Sequence, residues 1–325
     1  MILYDGIVYR LQKFGGISVL FNEIIKRMPE NSYKLVLDSD WRFFERFRKF
    51  KSCSEFDLFH STYYRIPLDD SAPIVTTVHD FTYERFVKGF KKEVHVWQKR
   101  KAIEAADIII CVSESTKNDL LYYLGATYED RIAVVHNGVS HDYRPLSDIA
   151  LRDQVIYVGS RLGYKNFQNL VKALSFIEGV SLVCVGGGEF SNNELEILNR
   201  LIPDRFCFKG LLSNEELNQE YNKSICLVYP SLYEGFGIPV LEAMRAGCPV
   251  LAVNSSSIPE VAGQAAFLME VGAVEEIRDG IEFFCVRENR QKFVRLGTVR
   301  AQEFSWDLTF NKTVAVYEKL LGREI

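Results

Sequence analysis

Residues 229–250 read YPSLYEGFGIPVLEAMRAGCPV. An apolar run ends at Tyr229, a loop with Glu234, Gly235 and Gly237 follows, and a helical pattern then covers 239–246. Pro239 stands near the first turn, where its missing N–H is not needed. The stretch therefore predicts strand, glycine loop and helix in succession. Glycines at a helix start leave amides open to hydroxyl or phosphate oxygens. Seven residues separate Glu234 from Glu242, one in the loop and the other a turn into the helix. That spacing predicts two carboxylates on one cleft, each able to accept a pair of sugar hydroxyls. Without the glycines and the proline, the same glutamates would read as solvated charges on a surface helix.

Outward from this stretch, short apolar runs alternate with amphipathic ones. Beyond residue 150, strands are expected at 155–158, 181–185, 206–209, 225–229 and 250–253, with helices over 167–177, 215–222 and 239–246. Before it, strands are expected at 33–37, 58–60, 74–78, 108–112 and 132–135, with helices over 19–28 and 94–106. Such alternation implies right-handed crossovers and parallel sheets covered by helices on both faces. Residues 136–153 hold Gly, Pro, Ser and Asp without a helical period and predict a linker. In the tail, Trp306, Phe310, Val314, Tyr317 and Leu321 recur at spacings of three and four, as on a helix with one apolar face. The expected architecture is α/β, with two doubly wound domains over 1–145 and 146–303 and a C-terminal helix within 304–325.

Length and composition agree. The 325 residues suit two domains of about 150 residues each. Hydrophobic residues make up 47% and charged residues 25%, which excludes a disordered or collagen-like chain. No apolar run approaches the roughly 20 residues of a membrane span, and Asp5 interrupts the opening MILYDG, so neither a span nor a secretory leader is expected. Seven scattered cysteines without a Cys-x-x-Cys pair read as reduced, mostly buried thiols of a cytoplasmic protein. A net charge of −4 argues against a dedicated nucleic-acid binder. Through residue 148, 21 cations balance 21 acids and all five histidines occur; the remainder carries the whole deficit. Halves so unlike suggest two domains rather than a duplication.

Three more glycine-bearing segments follow apolar runs or precede helices. Gly15 and Gly16 stand ahead of the first long helical pattern, as a helix-entry turn or an anion seat. Val185-Gly186-Gly187-Gly188 follows a strand but lacks the spacing of a dinucleotide fingerprint, which disfavours NAD. Residues 157–170 deliver Gly159, Arg161 and Lys165 into a loop before a helix, either as two solvated cations or as a pyrophosphate clamp. Asp38-Ser-Asp40 matches a short acidic pattern that binds divalent metal elsewhere, but such matches are common by chance and no metal site is expected. His60, His95 and His141 have no metal-ligand spacing.

The segment from Glu234 to Val250 closely resembles the Glu-x7-Glu motif of retaining GT-B glycosyltransferases of family 4. The resemblance extends to residues 158–167, 185–188, 257–263 and 136–139, and more loosely to Gly15-Gly16, 78–80 and 111–116. It is nearest to transferases of bacterial surface polysaccharides that use GDP-mannose and related donors. It implies two Rossmann-like domains facing a cleft, an N-terminal acceptor domain, a nucleotide-sugar domain, and a last helix that crosses back to the N-terminal domain. Arg161 and Lys165 would hold the donor diphosphate, Glu242 the ribose hydroxyls, and Glu234 the transferred sugar. The amides of Gly235, Phe236 and Gly237 would lie beside Glu234, with Ile238 and Val240 following in the same site. Gly15 and Gly16 would approach the diphosphate, Gly159 would line the site, the base would lie near Gly210 and Leu212, and His79 would orient the donor sugar. The resemblance further implies retention by front-side displacement, with neither cofactor nor metal and with the cations in a metal's place.

Two stretches mix aromatics with cations: 41–51, and 86–101 with Lys88, Phe90, Lys91, Lys92, Trp97, Lys99, Arg100 and Lys101. They read either as solvated helix faces or as an interfacial surface for anionic lipid. In the half expected to receive the acceptor, the second reading predicts a lipid-linked glycan acceptor and a peripheral position on the inner face of the plasma membrane. A non-catalytic nucleotide-sugar binder or membrane scaffold of the same fold and a sugar-nucleotide epimerase are the competing functions.

Overall fold

Each half of the chain winds six short strands into one parallel sheet. A computed structural model describes residues 1–12, 15–37, 45–52, 55–69 and 71–325. The acidic pattern at 38–40 and the aromatic start of the first mixed stretch, 41–44, lie outside the described residues. Two units result, one of Met1–Gly138 with Trp306–Ile325, the other of Val139–Ser305.

In the first unit the strands are β1 (Ile2–Tyr4), β2 (Tyr33–Leu35), β3 (Leu58–Ser61), β4 (Ile74–Val78), β5 (Ile108–Cys111) and β6 (Ile132–Val134), in the order β2-β1-β3-β4-β5-β6. The interior strands are buried along their whole length, whereas the edge strands β2 and β6 are not. Helices on both faces account for that, and for the unbroken apolar runs. β1 is not among the strands expected from the sequence.

The returning helix Trp306–Leu321 packs on helix Gly16–Ile25 and sends Tyr317 into the core. The Tyr317 hydroxyl lies 3.0 Å from that of Tyr4 and 2.6 Å from His60 Nδ1, and His60 Nε2 reaches Thr77 at 2.9 Å. The buried face is Trp306, Thr309, Thr313, Val316 and Tyr317, while Phe310 and Val314 are only half-buried. This corrects the apolar stripe read from the sequence. The threonines go inside because their hydroxyls donate to carbonyls, Thr309 to His136 and Thr313 to Thr309, both at 2.8 Å.

The second unit contains β7 (Gln154–Val158), β8 (Ser181–Val185), β9 (Phe206–Phe208), β10 (Leu227–Tyr229), β11 (Val250–Val253) and β12 (Phe267–Met269), ordered β12-β11-β10-β7-β8-β9. From its far edge this is the order of dinucleotide-binding sheets, and it reverses between β7 and β10, where the crevice rule puts a ligand. The unit takes up residues from Val139, seven earlier than the expected boundary, because 142–146 hydrogen-bond to helix Asn214–Lys223. Of the six described cysteines, Cys207 and Cys285 are exposed and the others buried. Among the described residues no helix is long and apolar enough to cross a membrane.

Candidate functional site

At the carboxyl ends of β7, β8 and β9 three turns are tied edge to edge. Gly159 N donates to Val185 O at 2.9 Å, and Gly186 N to Gly210 O at 2.8 Å. Gly186, Gly187 and Gly188 all have left-handed φ, between 72° and 82°. A Cβ on Gly187 would stand 2.2 Å from Gly159 O, so this turn closes only with glycine.

Arg161 locks the same turns. Its guanidinium donates to Glu194 Oε1 (2.8 Å), Gly186 O (3.3 Å), Gly188 O (2.8 Å) and Glu189 O (2.8 Å), and lies 4.7 Å over the Phe190 ring. Glu194 is held in turn by Ser191 in a capping box. With its side chain 3% exposed and four hydrogen bonds directed into these partners, Arg161 braces the glycine turn. The other cation of the expected clamp stands four residues on in the same loop.

Lys165 is that one. Its ammonium donates to Glu234 Oε1 at 2.6 Å and lies 5.2 Å from the Tyr164 ring and 5.8 Å from that of Tyr229. The Tyr229 hydroxyl also bonds Glu234. The pair bridges the loops after β7 and β10, at the reversal of strand order. Asn166, in the left-handed region at φ 56°, donates with Asn169 to Gly272 O at 2.9 and 3.1 Å, fixing the next loop.

Glu234 is set from behind by two serines. Ser256 Oγ accepts Glu234 N at 2.8 Å, and Ser257 Oγ lies 3.0 and 2.9 Å from the carbonyls of Glu234 and Phe236. Gly237 then caps helix Ile238–Ala246 at φ 101°, with its Cβ position 2.8 Å from Ile258 Cδ1. Gly235 and Ile238 are half-buried and Phe236 is buried. Val240, expected to line the site, is fully buried and its amide donates to Gly237 O, so it closes the helix start. Gly210 leads, with open space at its Cβ, into exposed Leu211 and half-buried Leu212.

Glu242, a turn into the helix, accepts from the Tyr221 hydroxyl at 3.0 Å and also bonds Tyr143. Burial raises its carboxyl pKa to about 7, against the lowering effect of the two phenols. Tyr143, Tyr221 and Ser256 were missed in the sequence, and Asn166 and Ser257 entered it only within segments of the family resemblance, with no role assigned. The Ser-x-x-Glu spacings of 191–194 and 213–216 carried a readable signal, that of a capping box.

In the first unit, Gly15 and Gly16 begin helix Gly16–Ile25, and His79 follows β4. The His79 ring stands 6.5 Å from Phe21, and its amide faces the Tyr64 hydroxyl at 3.5 Å. Burial lowers its pKa to about 4, Lys99 adding to this and Asp80 opposing it, so the imidazole is neutral at pH 7. The two mixed stretches meet: Gln98, on helix Phe90–Ala105, accepts from Arg46 at 3.0 Å and donates to its carbonyl at 2.7 Å. Phe90 and Trp97 on that helix are 83% and 54% exposed, among exposed Lys88, Lys91, Arg100 and Lys101. Lys99, counted among the cations of that stretch, is instead buried on Glu84 at 2.7 Å.

Comparison with known proteins places both halves. A family model described as glycosyl transferases group 1 matches residues 149–296, and one described as glycosyltransferase family 4 matches residues 15–143. O-antigen chain mannosyltransferase B of Escherichia coli is 27% identical over 273 residues, covering 76% of this chain and 70% of that protein. MMP alpha-(1->4)-mannosyltransferase of Mycolicibacterium hassiacum is 29% identical over 276 residues, 77% of this chain and 66% of its own. Serotype-specific mannosyltransferase WbdA of Escherichia coli is 25% identical over 291 residues; the match takes in 81% of this chain but 36% of WbdA, so the chain spans about a third of that relative. Among solved structures, Anabaena Alr3699/HepE in complex with UDP and glucose superposes with a TM-score of 0.75 at 16% identity, over 98% of this chain and 99% of its own. Sucrose-phosphate synthase from Thermosynechococcus elongatus gives 0.69 at 20% identity, over 82% and 74%. These last two likenesses concern the GT-B fold alone.

Proposed function

The chain belongs to the family 4, group 1 glycosyltransferases, and on that premise we propose that it moves mannose or a related sugar from a GDP-sugar donor to a lipid-linked glycan, with retention, in assembly of a bacterial surface polysaccharide. The observation that carries this reading is the Lys165–Glu234 pair, 2.6 Å apart at the strand-order reversal and beside the glycine-capped start of helix Ile238–Ala246. In this reading a nucleoside diphosphate meets Lys165 and the helix-start amides with its phosphates, Glu242 with its ribose hydroxyls, and Glu234 with hydroxyls of the sugar.

The bond from the anomeric carbon to the β-phosphate oxygen breaks as the acceptor hydroxyl attacks from the same face. The new glycosidic bond forms there, and the acceptor proton passes to the departing phosphate. Lys165 stabilises the charge developing on that phosphate, and no metal is required in this scheme. Mannose is favoured by relatives named as mannosyltransferases. A lipid-borne acceptor on the inner face of the plasma membrane is favoured by Phe90 and Trp97 exposed among cations, a mixture suited to anionic headgroups.

The test is transfer from GDP-mannose, in EDTA, to polyprenyl-diphosphate glycans in vesicles containing phosphatidylglycerol, with the product's anomeric configuration read by NMR. An α-linked product from the α-linked donor is expected. A β-linked product, or no transfer from GDP-, UDP- or dTDP-hexoses, contradicts the proposal.

A further inference from the structure

The segment entering the second unit does more than connect. Residues 142–146 run along helix Asn214–Lys223, where asparagines recur every fourth residue on one face. Asn214 Nδ2 donates to Asp142 Oδ2 at 2.8 Å, and Asn218 Oδ1 accepts Arg144 N at 3.0 Å. Asn222 takes both kinds of backbone group, accepting Leu146 N at 2.8 Å and donating to Arg144 O at 3.0 Å. A carboxamide carries the donor and acceptor of a peptide group, so this ladder grips the segment much as a neighbouring strand would. It delivers Tyr143, 3% exposed and edge-on to Tyr221 at 6.0 Å, with its hydroxyl 3.2 Å from Asn214 Oδ1 and bonded to Glu242.

Resting on the reading that Glu242 receives the ribose hydroxyls, we infer that Tyr143 and Tyr221 are positioning residues for donor recognition, fixing the Glu242 carboxylate and tying it to the asparagine-held segment. When Glu242 is ionised, both phenols donate to it. When it is protonated, the carboxyl donates to one phenol, and the Tyr143 proton turns to Asn214 Oδ1. Removing a phenol removes a donor to the charged form, so the carboxyl titrates at higher pH.

The other titratable groups on the surrounding elements have partners of their own. Tyr229, at the end of β10, bonds Glu234. Arg245 meets His141, and Glu220 pairs with Lys223 at 2.8 Å. On helix Arg287–Ala301, Arg290 donates to Ile225 O and Arg300 to the carbonyls of Val261 and Glu260. Buried Cys248, beyond the helix end, has its thiol pKa pushed up to about 12 and is uncharged at neutral pH.

The test compares the affinities of GDP and 2′-deoxy-GDP by calorimetry between pH 5.5 and 8.5. Taking their ratio cancels the titration of the diphosphate itself. Wild type should prefer the ribonucleotide by about tenfold at pH 8.5 and lose that preference as pH falls through about 7. Glu242→Gln should show little preference at any pH. Tyr143→Phe and Tyr221→Phe should keep the preference at pH 8.5 but lose it at higher pH than wild type does. Asn218→Ala, which touches neither the carboxylate nor the ligand, should follow Tyr143→Phe. If Glu242→Gln loses the preference while both phenylalanine variants titrate like wild type, the inference is overturned. If Glu242→Gln keeps the preference, the ribose reading itself fails, and the inference with it.

Discussion

Arg161 directs four hydrogen bonds into Glu194 and the turn at 186–189, so its substitution acts first on that turn. Arg161→Ala leaves three carbonyls and a carboxylate without their donor, and bonds to charged groups contribute about 1.5–3 kcal/mol each without adding fully. It should lower the unfolding free energy by about 3 kcal/mol in urea titrations, while the folded protein loses less than tenfold in nucleoside diphosphate affinity. Unchanged stability with abolished binding would instead restore the arginine to the phosphate. At this scale the sequence was legible in residue type more than in direction. Glu234 falls in the loop and Glu242 a turn into the helix, as their spacing predicted, whereas the pairing of Lys165 with Glu234, 69 positions on, was not legible. The orientation of Arg161 was hidden because its partners, Glu194 and the glycine carbonyls, are 25 to 33 positions away.

The three glycines of the turn share one backbone region but not one reason for it. Gly187 lies at φ 73° with its Cβ position 2.2 Å from a carbonyl oxygen, whereas Gly188, at φ 82°, has open space there. Alanine at Gly188 should therefore cost only the left-handed penalty, about 1 kcal/mol, and Gly187→Ala about 3 kcal/mol or more. Equal losses in urea unfolding would mean that contact with Gly159 does not select the glycine. In the sequence this triplet showed as a fingerprint with the wrong spacing and as a segment of the family resemblance, without the reason for each glycine, since its packing exists once β7 and β8 pair. Strands of four or five residues were legible from their apolar runs, while helices Asn192–Leu201 and Val274–Cys285 were not among the expected elements. β1 and β12 were not legible, although β2, β6, β9 and β10, also three residues each, were.

The whole chain passes through one sheet, builds a second and returns its last helix to the first. That return was legible as a helix from its period and as a contact only through the family resemblance; the residues that make the join were not, since it is polar: Tyr317 meets Tyr4 and His60 in a buried network. Buried polar groups satisfied in this way fix a unique seat that an apolar stripe alone would leave loose. The two units divide the chain near the boundary expected from composition, displaced because asparagine side chains capture a segment that carries no period of its own.

The central claim is that the crest of the second unit, at Lys165 and Glu234, seats a nucleoside diphosphate. The most direct measurement is a thermal-shift panel of GDP, UDP, ADP and dTDP in EDTA, on wild type and Lys165→Ala. A ligand at one hundred times its dissociation constant stabilises by about 2.7 kcal/mol. The account predicts a shift of that order for one base, retained in EDTA and lost in the variant. No shift with any nucleotide, or one that Lys165→Ala leaves intact, would contradict it.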